Sequence, residues 1–234
     1  YDKELIEKIT NSKNVEKVST RDIASTLYNK KIGATTVAGT IVCAKAAGID
    51  IMVTGGIGGV HRNIIKSNDI SADLTELGRN NITVVCSGVK SILDIGKTLE
   101  YLETIGVPTI GYKTKSFPSF YSTHSGYSNS YKADTFKEIA SLINYHKSLE
   151  RGIIISNPPP KNFAIDPEKV NNWIDVAEKE AEKLNIIGKE ITPFILKRLR
   201  EISKNKTLET NIKLIIENAK VASSIALSLK KNIK

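Results

Sequence analysis

The chain has 234 residues, with 34 Lys plus Arg against 25 Asp plus Glu and a formal net charge of +9. Hydrophobic residues at 40% and charged residues at 25% exclude a disordered chain, and 15 glycines with 7 prolines exclude collagen-like and proline-rich linker classes. At roughly 150 residues per domain the length suits one large domain, and no internal repeat or linker composition divides it.

The chain opens at Tyr1 and its single methionine is Met52, as expected of a processed chain or a fragment. No basic n-region followed by an apolar stretch begins it, so a cytoplasmic location is expected, with a lost targeting segment compatible with the missing start. A short strand is predicted over residues 15–18, then a helix over 21–29 with Thr20 as N-cap. Residues 34–47, rich in alanine and followed by Gly48, read as a buried helix with a glycine stop. Residues 49–54 form a short apolar strand, and the following run Gly55-Gly56-Ile57-Gly58-Gly59-Val60-His61-Arg62 must be a loop, since neither helix nor strand tolerates such glycine density. Lys45 and Asp50 interrupt the weakly polar stretch 34–59, so it cannot supply the roughly 20 apolar residues of a membrane span.

Ser71 is placed to cap a short helix ending at Arg79. Residues 82–86 read as a strand, 91–105 as a helix stopped by Gly106, and 107–112 as another strand. Residues 113–132 carry Phe117, Tyr121, Tyr127 and Tyr131 without a sustained period and read as a long covering loop. A helix over 133–149, a strand over 153–156 and helices over 167–184, 192–202 and 208–229 complete the chain. Strands alternating with helices predict a single α/β domain, a largely parallel sheet flanked by helices, with a C-terminal helical segment. Cys43 and Cys86 lie in apolar runs without metal-ligand spacing and read as buried free thiols. The densest basic patch, Lys197, Arg198 and Arg200, shares a helix with Ile195, Leu196 and Leu199 and reads as a solvated face. No nucleic-acid partner is expected; the charge favours a small anionic ligand such as a phosphate ester.

Ligands of parallel α/β sheets bind beyond the carboxyl ends of the strands, and three such ends are chemically unusual here. The glycine run after Thr54 departs from both the dinucleotide fingerprint and the nucleotide P-loop, and reads either as a ligand-approach loop or as a tight turn. Asp69 and Asp73, flanking Ser71 and Ala72, could serve a hard cation and a polar substrate, or simply turn and cap a helix. Lys90 follows a buried apolar strand, where desolvation would lower its pKa and make it a Schiff-base nucleophile; the alternative is a structural lysine reaching solvent.

Read together, Thr35-Thr36-Val37-Ala38, the run from Val53 to Arg62, Asp69-Ile70-Ser71-Ala72-Asp73-Leu74 and Val85-Cys86-Ser87-Gly88-Val89-Lys90-Ser91 closely resemble the pseudouridine-5'-phosphate glycosidase (indigoidine synthase A-like) family. Phe117-Pro118, Asn157-Pro158, Ile191-Thr192-Pro193-Phe194 and Asn211 near Asn218-Ala219 extend the resemblance across the whole chain. It implies reversible cleavage of pseudouridine 5'-phosphate to uracil and ribose 5-phosphate through a lysine-ribose Schiff base, with a divalent metal, usually Mn2+, in a homotrimer. By motif match Lys90 is the nucleophile and Asp69 the metal ligand. Asp73 is placed for proton transfer or hydroxyl binding, and Lys17, Val37, Ser71 and Ala72 match substrate-contact positions. Thr54 and His61 look like pocket wall, with His61 also a proton shuttle. Two departures stand out. The family's proton donor, a glutamate in a Glu-Ser-Thr motif near the N-terminus, has no match among Glu4, Glu7 and Glu16, and Asn63 stands where a glycine is usual. The missing donor supports an alternative, a noncatalytic phosphosugar-binding remnant. A Schiff-base aldolase would keep Lys90 but leave the run from Asp69 to Asp73 unexplained.

Overall fold

The structure, a computed structural model, describes residues 3–12, 14–62, 68–186 and 190–231. In chain order the strands are β1 (Glu16–Val18), β2 (Gly33–Thr35), β3 (Ile51–Val53), β4 (Val60–His61), β5 (Thr83–Cys86), β6 (Leu93–Asp94), β7 (Thr109–Tyr112), β8 (Tyr131–Ala133) and β9 (Ile153–Ser156). The helices are α1 (Lys3–Asn11), α2 (Ile23–Tyr28), α3 (Val37–Ala46), α4 (Ala72–Arg79), α5 (Ile95–Thr104), α6 (Phe136–His146), α7 (Pro167–Lys183), α8 (Ile191–Ile202) and α9 (Lys206–Lys231).

Five strands form a parallel sheet in the order β3-β5-β9-β7-β8, as the alternating pattern predicts. Every residue of β5 and β9 is buried, because helices cover both faces of a parallel sheet and leave no solvent side for alternation. One core cluster joins Ile41, Leu74, Leu77, Val84 and Leu102 beneath α3, α4 and α5. Another joins Val85, Ile139, Ile155, Val221 and Ile225 beneath α6 and α9, and α7 packs on α8 around Ile174 and Leu199. Two further pairs, β1-β2 parallel and β4-β6 antiparallel, stand outside the main sheet.

Several boundaries differ from the sequence reading. Thr20 is not a cap: its Oγ is buried without a partner, and the turn at Thr20–Asp22 is closed instead by Asp22, whose carboxylate accepts the Ser19 N–H at 3.0 Å. The alanine-rich stretch splits into β2 and α3 because Gly33–Thr35 finds β1 as a pairing partner, which local composition cannot reveal. Only one side of α3 is buried, through Ala38, Gly39, Ile41 and Ala44, so Cys43 is exposed while Cys86 is buried. The helix expected from residue 91 begins at Ile95, capped by Asp94, which accepts the Lys97 N–H at 3.0 Å. Among the described residues no helix is long and apolar enough to cross a membrane.

Candidate functional site

Since β3 and β5 are parallel neighbours, both chains leave the sheet at the same end and continue side by side. The Thr54 N–H bonds the Val85 carbonyl at 3.0 Å, Ser87 N–H the Gly55 carbonyl at 2.9 Å, Ile57 N–H the Gly88 carbonyl at 3.0 Å, and Lys90 N–H the Ile57 carbonyl at 3.1 Å. The glycines serve this close approach. A Cβ on Gly58 would strike the Ser71 side chain and come within 2.8 Å of Asp73 Oδ2. Gly88 has φ +81° and its Cβ position lies against the Pro118 carbonyl, so no other residue fits there without strain. The run after Thr54 is therefore a wall laced to the Lys90 segment, and the N–H groups of Ile57 and Gly58 are already taken by protein acceptors.

Asp73 holds this corner together. It is 4% exposed; Oδ1 accepts the Ala38 N–H at 2.8 Å and Oδ2 the Gly58 N–H at 2.7 Å. One carboxylate thus ties the starts of α3 and α4 to the glycine wall. Both helices are capped by their own hydroxyls, Thr36 Oγ accepting the Gly39 N–H and Ser71 Oγ the Asp73 N–H, each at 3.2 Å. What remains at the two helix starts is the first-turn N–H of Val37 and of Ala72, which a helix cannot use internally and which suit an anion. Thr54 is half-buried, Ser71 half-buried and Ala72 exposed.

Lys90 is half-buried directly beyond this corner. Burial lowers its pKa, the Asp73 carboxylate opposes that by favouring the ammonium, and the Lys17 ammonium pushes it further down. Lys17, exposed on β1 opposite Ala34 of β2, is brought to the site by the pairing of those strands. The structure thus gathers Lys17, Asp73 and Lys90 from three separate parts of the chain, with Val37 and Ala72 at the adjoining helix starts.

His61 closes the other end of the wall, in β4, paired with Leu93 of β6, and its N–H bonds the Asp69 carbonyl at 2.9 Å. Asp69 itself is exposed. Asn63 lies outside the described residues, so its departure from the family pattern has no structural reading. Among the described residues no group of three or more His, Cys, Asp and Glu is placed to hold a metal ion. Asp69 offers a single hard carboxylate, a donor that suits only a cation keeping most of its water or borrowing oxygens from substrate.

Three residues to which the sequence assigns no role acquire one in the structure. Asn218, fully buried in α9, donates to the Thr54 carbonyl at 3.0 Å and to Ser87 Oγ at 3.1 Å, and accepts from Asn157 at 3.0 Å, tying the ends of β3, β5 and β9 together. In the sequence it stands only as part of the family resemblance, one carboxamide in a helical stretch, with nothing to show what it bonds. Asn211, two turns earlier on the same face of α9, presents a buried Oδ1 with no partner, close beside Gly55. Glu178 of α7 has a buried Oε1, also without a partner. Burial raises its pKa, while Arg62 and then His61 counter that by favouring the carboxylate.

The family profile described as Indigoidine synthase A like protein matches residues 1–228. The chain is 48% identical over 226 residues to a pseudouridine-5'-phosphate glycosidase of Brachyspira hyodysenteriae, covering 96% of this chain and 73% of that protein. It is 49% identical to the protein of that name from Geobacillus kaustophilus, covering 96% and 75%, and 48% identical to the one from Escherichia coli, covering 91% and 69%. The crystal structure of a prealnumycin C-glycosynthase in complex with ribulose 5-phosphate superposes with a TM-score of 0.92 at 34% identity, covering 99% of this chain and 77% of that one. An indigoidine synthase A-like protein of Thermotoga maritima gives 0.88 at 34% identity, covering 99% and 76%.

Proposed function

The chain belongs to the indigoidine synthase A-like family, and we propose from this that it is a pseudouridine-5'-phosphate glycosidase, cleaving its substrate reversibly to uracil and ribose 5-phosphate with Lys90 as nucleophile. The observation that carries the role of Lys90 is its place: a half-buried amine of lowered pKa, beside Asp73 and Lys17, next to two helix starts that suit a phosphate. The identity of 48% with glycosidases over 96% of the chain supports the substrate.

The bond to be cleaved joins ribose C1' to carbon 5 of uracil, and carbon is a poor leaving atom. Attack of the Lys90 amine at C1' forms an N–C bond as the ring C1'–O4' bond breaks and O4' takes a proton. The nitrogen lone pair then forms C=N as the C1'–C5 electron pair leaves, and C5 takes a proton. Water adds to the Schiff base, and ribose 5-phosphate departs as the amine is regenerated. Lys17 and the N–H groups of Val37 and Ala72 bind the phosphate, with Ser71 beside them. Asp73 acts mainly as an anchor, since both its oxygens hold backbone N–H groups, and through its charge on Lys90. Thr54 and His61 form the wall facing the sugar and base, His61 being the group there suited to move a proton. A hydrated divalent cation, manganese first, would be held by Asp69 and would supply positive charge to substrate oxygens. The proposal extends to a cytoplasmic homotrimer.

Incubation with ribose 5-phosphate and borohydride, followed by peptide mass mapping, tests it. An adduct on Lys90 is expected. Trapping on another lysine, or none in a folded protein, sinks the nucleophile assignment. The noncatalytic phosphosugar-binding alternative predicts binding of ribose 5-phosphate without any adduct.

A further inference from the structure

Arg62 follows His61 and is 28% exposed at its side chain. One terminal nitrogen, Nη2, donates to the Ser91 carbonyl at 2.8 Å and to Asn171 Oδ1 at 3.1 Å; the other, Nη1, lies 3.8 Å from Asp175 Oδ1. Ser91 is the residue after Lys90, inside a turn that the Leu93 N–H closes onto the Lys90 carbonyl at 2.9 Å. The two acceptors on α7 stand four residues apart, one helical turn, so they meet one guanidinium from the same face. A cavity of about 290 Å³, lined in part by Arg62, Ser91, Asp94, Tyr127 and Asn171, opens beside this junction.

We propose that Arg62 is a positioning residue for Lys90, a clamp that joins the His61 strand, the turn carrying Lys90 and helix α7. This rests on the reading of Lys90 as nucleophile given above. The Ser91 carbonyl is buried with its residue, and without the guanidinium the turn loses a charge-assisted hydrogen bond that fixes its conformation. On one side the Lys90 N–H ties the residue to the glycine wall; on the other, the turn that sets where the amine sits is held by the Arg62 bond to the Ser91 carbonyl and by the Ser91 hydroxyl bond to the Ser119 carbonyl. A displacement of about 1 Å at a reacting atom can cost 10²-fold in rate. Arginine is required because one planar head must serve the carbonyl and the α7 acceptors together, which a lysine ammonium on a flexible stem does poorly.

The test compares wild type with Arg62→Ala and Arg62→Lys. Three quantities are read: the rate of borohydride-trapped adduct on Lys90 at saturating ribose 5-phosphate, the dissociation constant of ribose 5-phosphate by calorimetry, and amide exchange at Leu93 and Val84. Expected for both variants is a trapping rate at least tenfold lower, a dissociation constant changed less than threefold, and Leu93 exchange at least tenfold faster with Val84 unchanged. Guanidinium chloride at tens of millimolar should recover Arg62→Ala in part. An unchanged rate, a loss that appears only in the dissociation constant, or unchanged Leu93 exchange overturns the clamp. If Arg62→Ala exposes Val84 as well, Arg62→Lys, which keeps the charge toward Asp175, decides the matter. Absence of any Lys90 adduct in wild type would sink the functional reading instead, while Leu93 exchange would still judge the clamp.

Discussion

Lys90 works as a nucleophile only when unprotonated, so its surroundings fix a pH dependence whose sign can be worked out. Burial and Lys17 lower its pKa and Asp73 raises it, with a net shift downward. Adduct formation with ribose 5-phosphate should therefore rise with pH to a plateau whose midpoint lies below the ordinary lysine range. Removing the neighbouring cation in Lys17→Met should move that midpoint upward, since a like charge that disfavours the ammonium has gone. A profile centred at the ordinary lysine value, unmoved by the substitution, would mean that Lys90 titrates as a solvated side chain. Asp73 presents a different balance. Its replacement by Ala leaves the Ala38 and Gly58 N–H groups facing an empty corner, a loss of about 3–6 kcal/mol at about 1.5–3 kcal/mol per bond to a charged group. Chemical denaturation of Asp73→Ala should show that loss as a lower midpoint with an unchanged slope.

Between elements, the decisive contacts are backbone to backbone. The glycine wall and the Lys90 segment prolong β3 and β5 beyond the sheet, and Gly58 permits the approach of Ser71 and Asp73. Gly58→Ala is expected to cost about 1–3 kcal/mol by overpacking and to slow adduct formation with it. Gly88→Ala should cost more, because a left-handed φ adds roughly 1–2 kcal/mol to the collision with Pro118. Denaturation midpoints of the two variants check the order. How far this was legible in the sequence follows from the range of each interaction. β5 and β9 declare themselves as short β-branched runs between helical stretches, and Ser71 declares α4 through a local cap. The partnership of β1 with β2, and hence the delivery of Lys17 to Lys90, depends on pairing across a helix and leaves no local mark. The Arg62 bond to Asn171 spans 109 residues and Asn218 reaches Thr54 across 164, distances over which periodicity says nothing.

On the scale of the whole molecule, the two halves of the proposed reaction make unequal demands. Forming the imine with ribose 5-phosphate needs a free amine, a phosphate site and a sugar in register, demands that the proposal assigns to Lys90, Lys17 and the α3 and α4 starts. Releasing uracil needs in addition a proton delivered to C5. Asp73 is engaged by two backbone donors and the proposal assigns Lys17 to the phosphate, so within this site the proposal leaves proton transfer to His61. The relatives run about a third longer than the stretch this chain matches, since the chain covers 73–75% of the first of them. The resemblance assigns the proton donor to a glutamate in a Glu-Ser-Thr motif, which Glu4, Glu7 and Glu16 do not match. A general acid contributes 10²–10⁴-fold. The 234-residue chain should therefore trap ribose 5-phosphate on Lys90 yet release uracil from pseudouridine 5'-phosphate at least 10²-fold more slowly than the same chain joined to the additional segment of the Brachyspira relative. Chromatographic assay of uracil from both proteins decides it. Equal rates would place the acid within the present chain, with His61 and Glu178, whose buried Oε1 has no hydrogen-bond partner, as the groups to replace next.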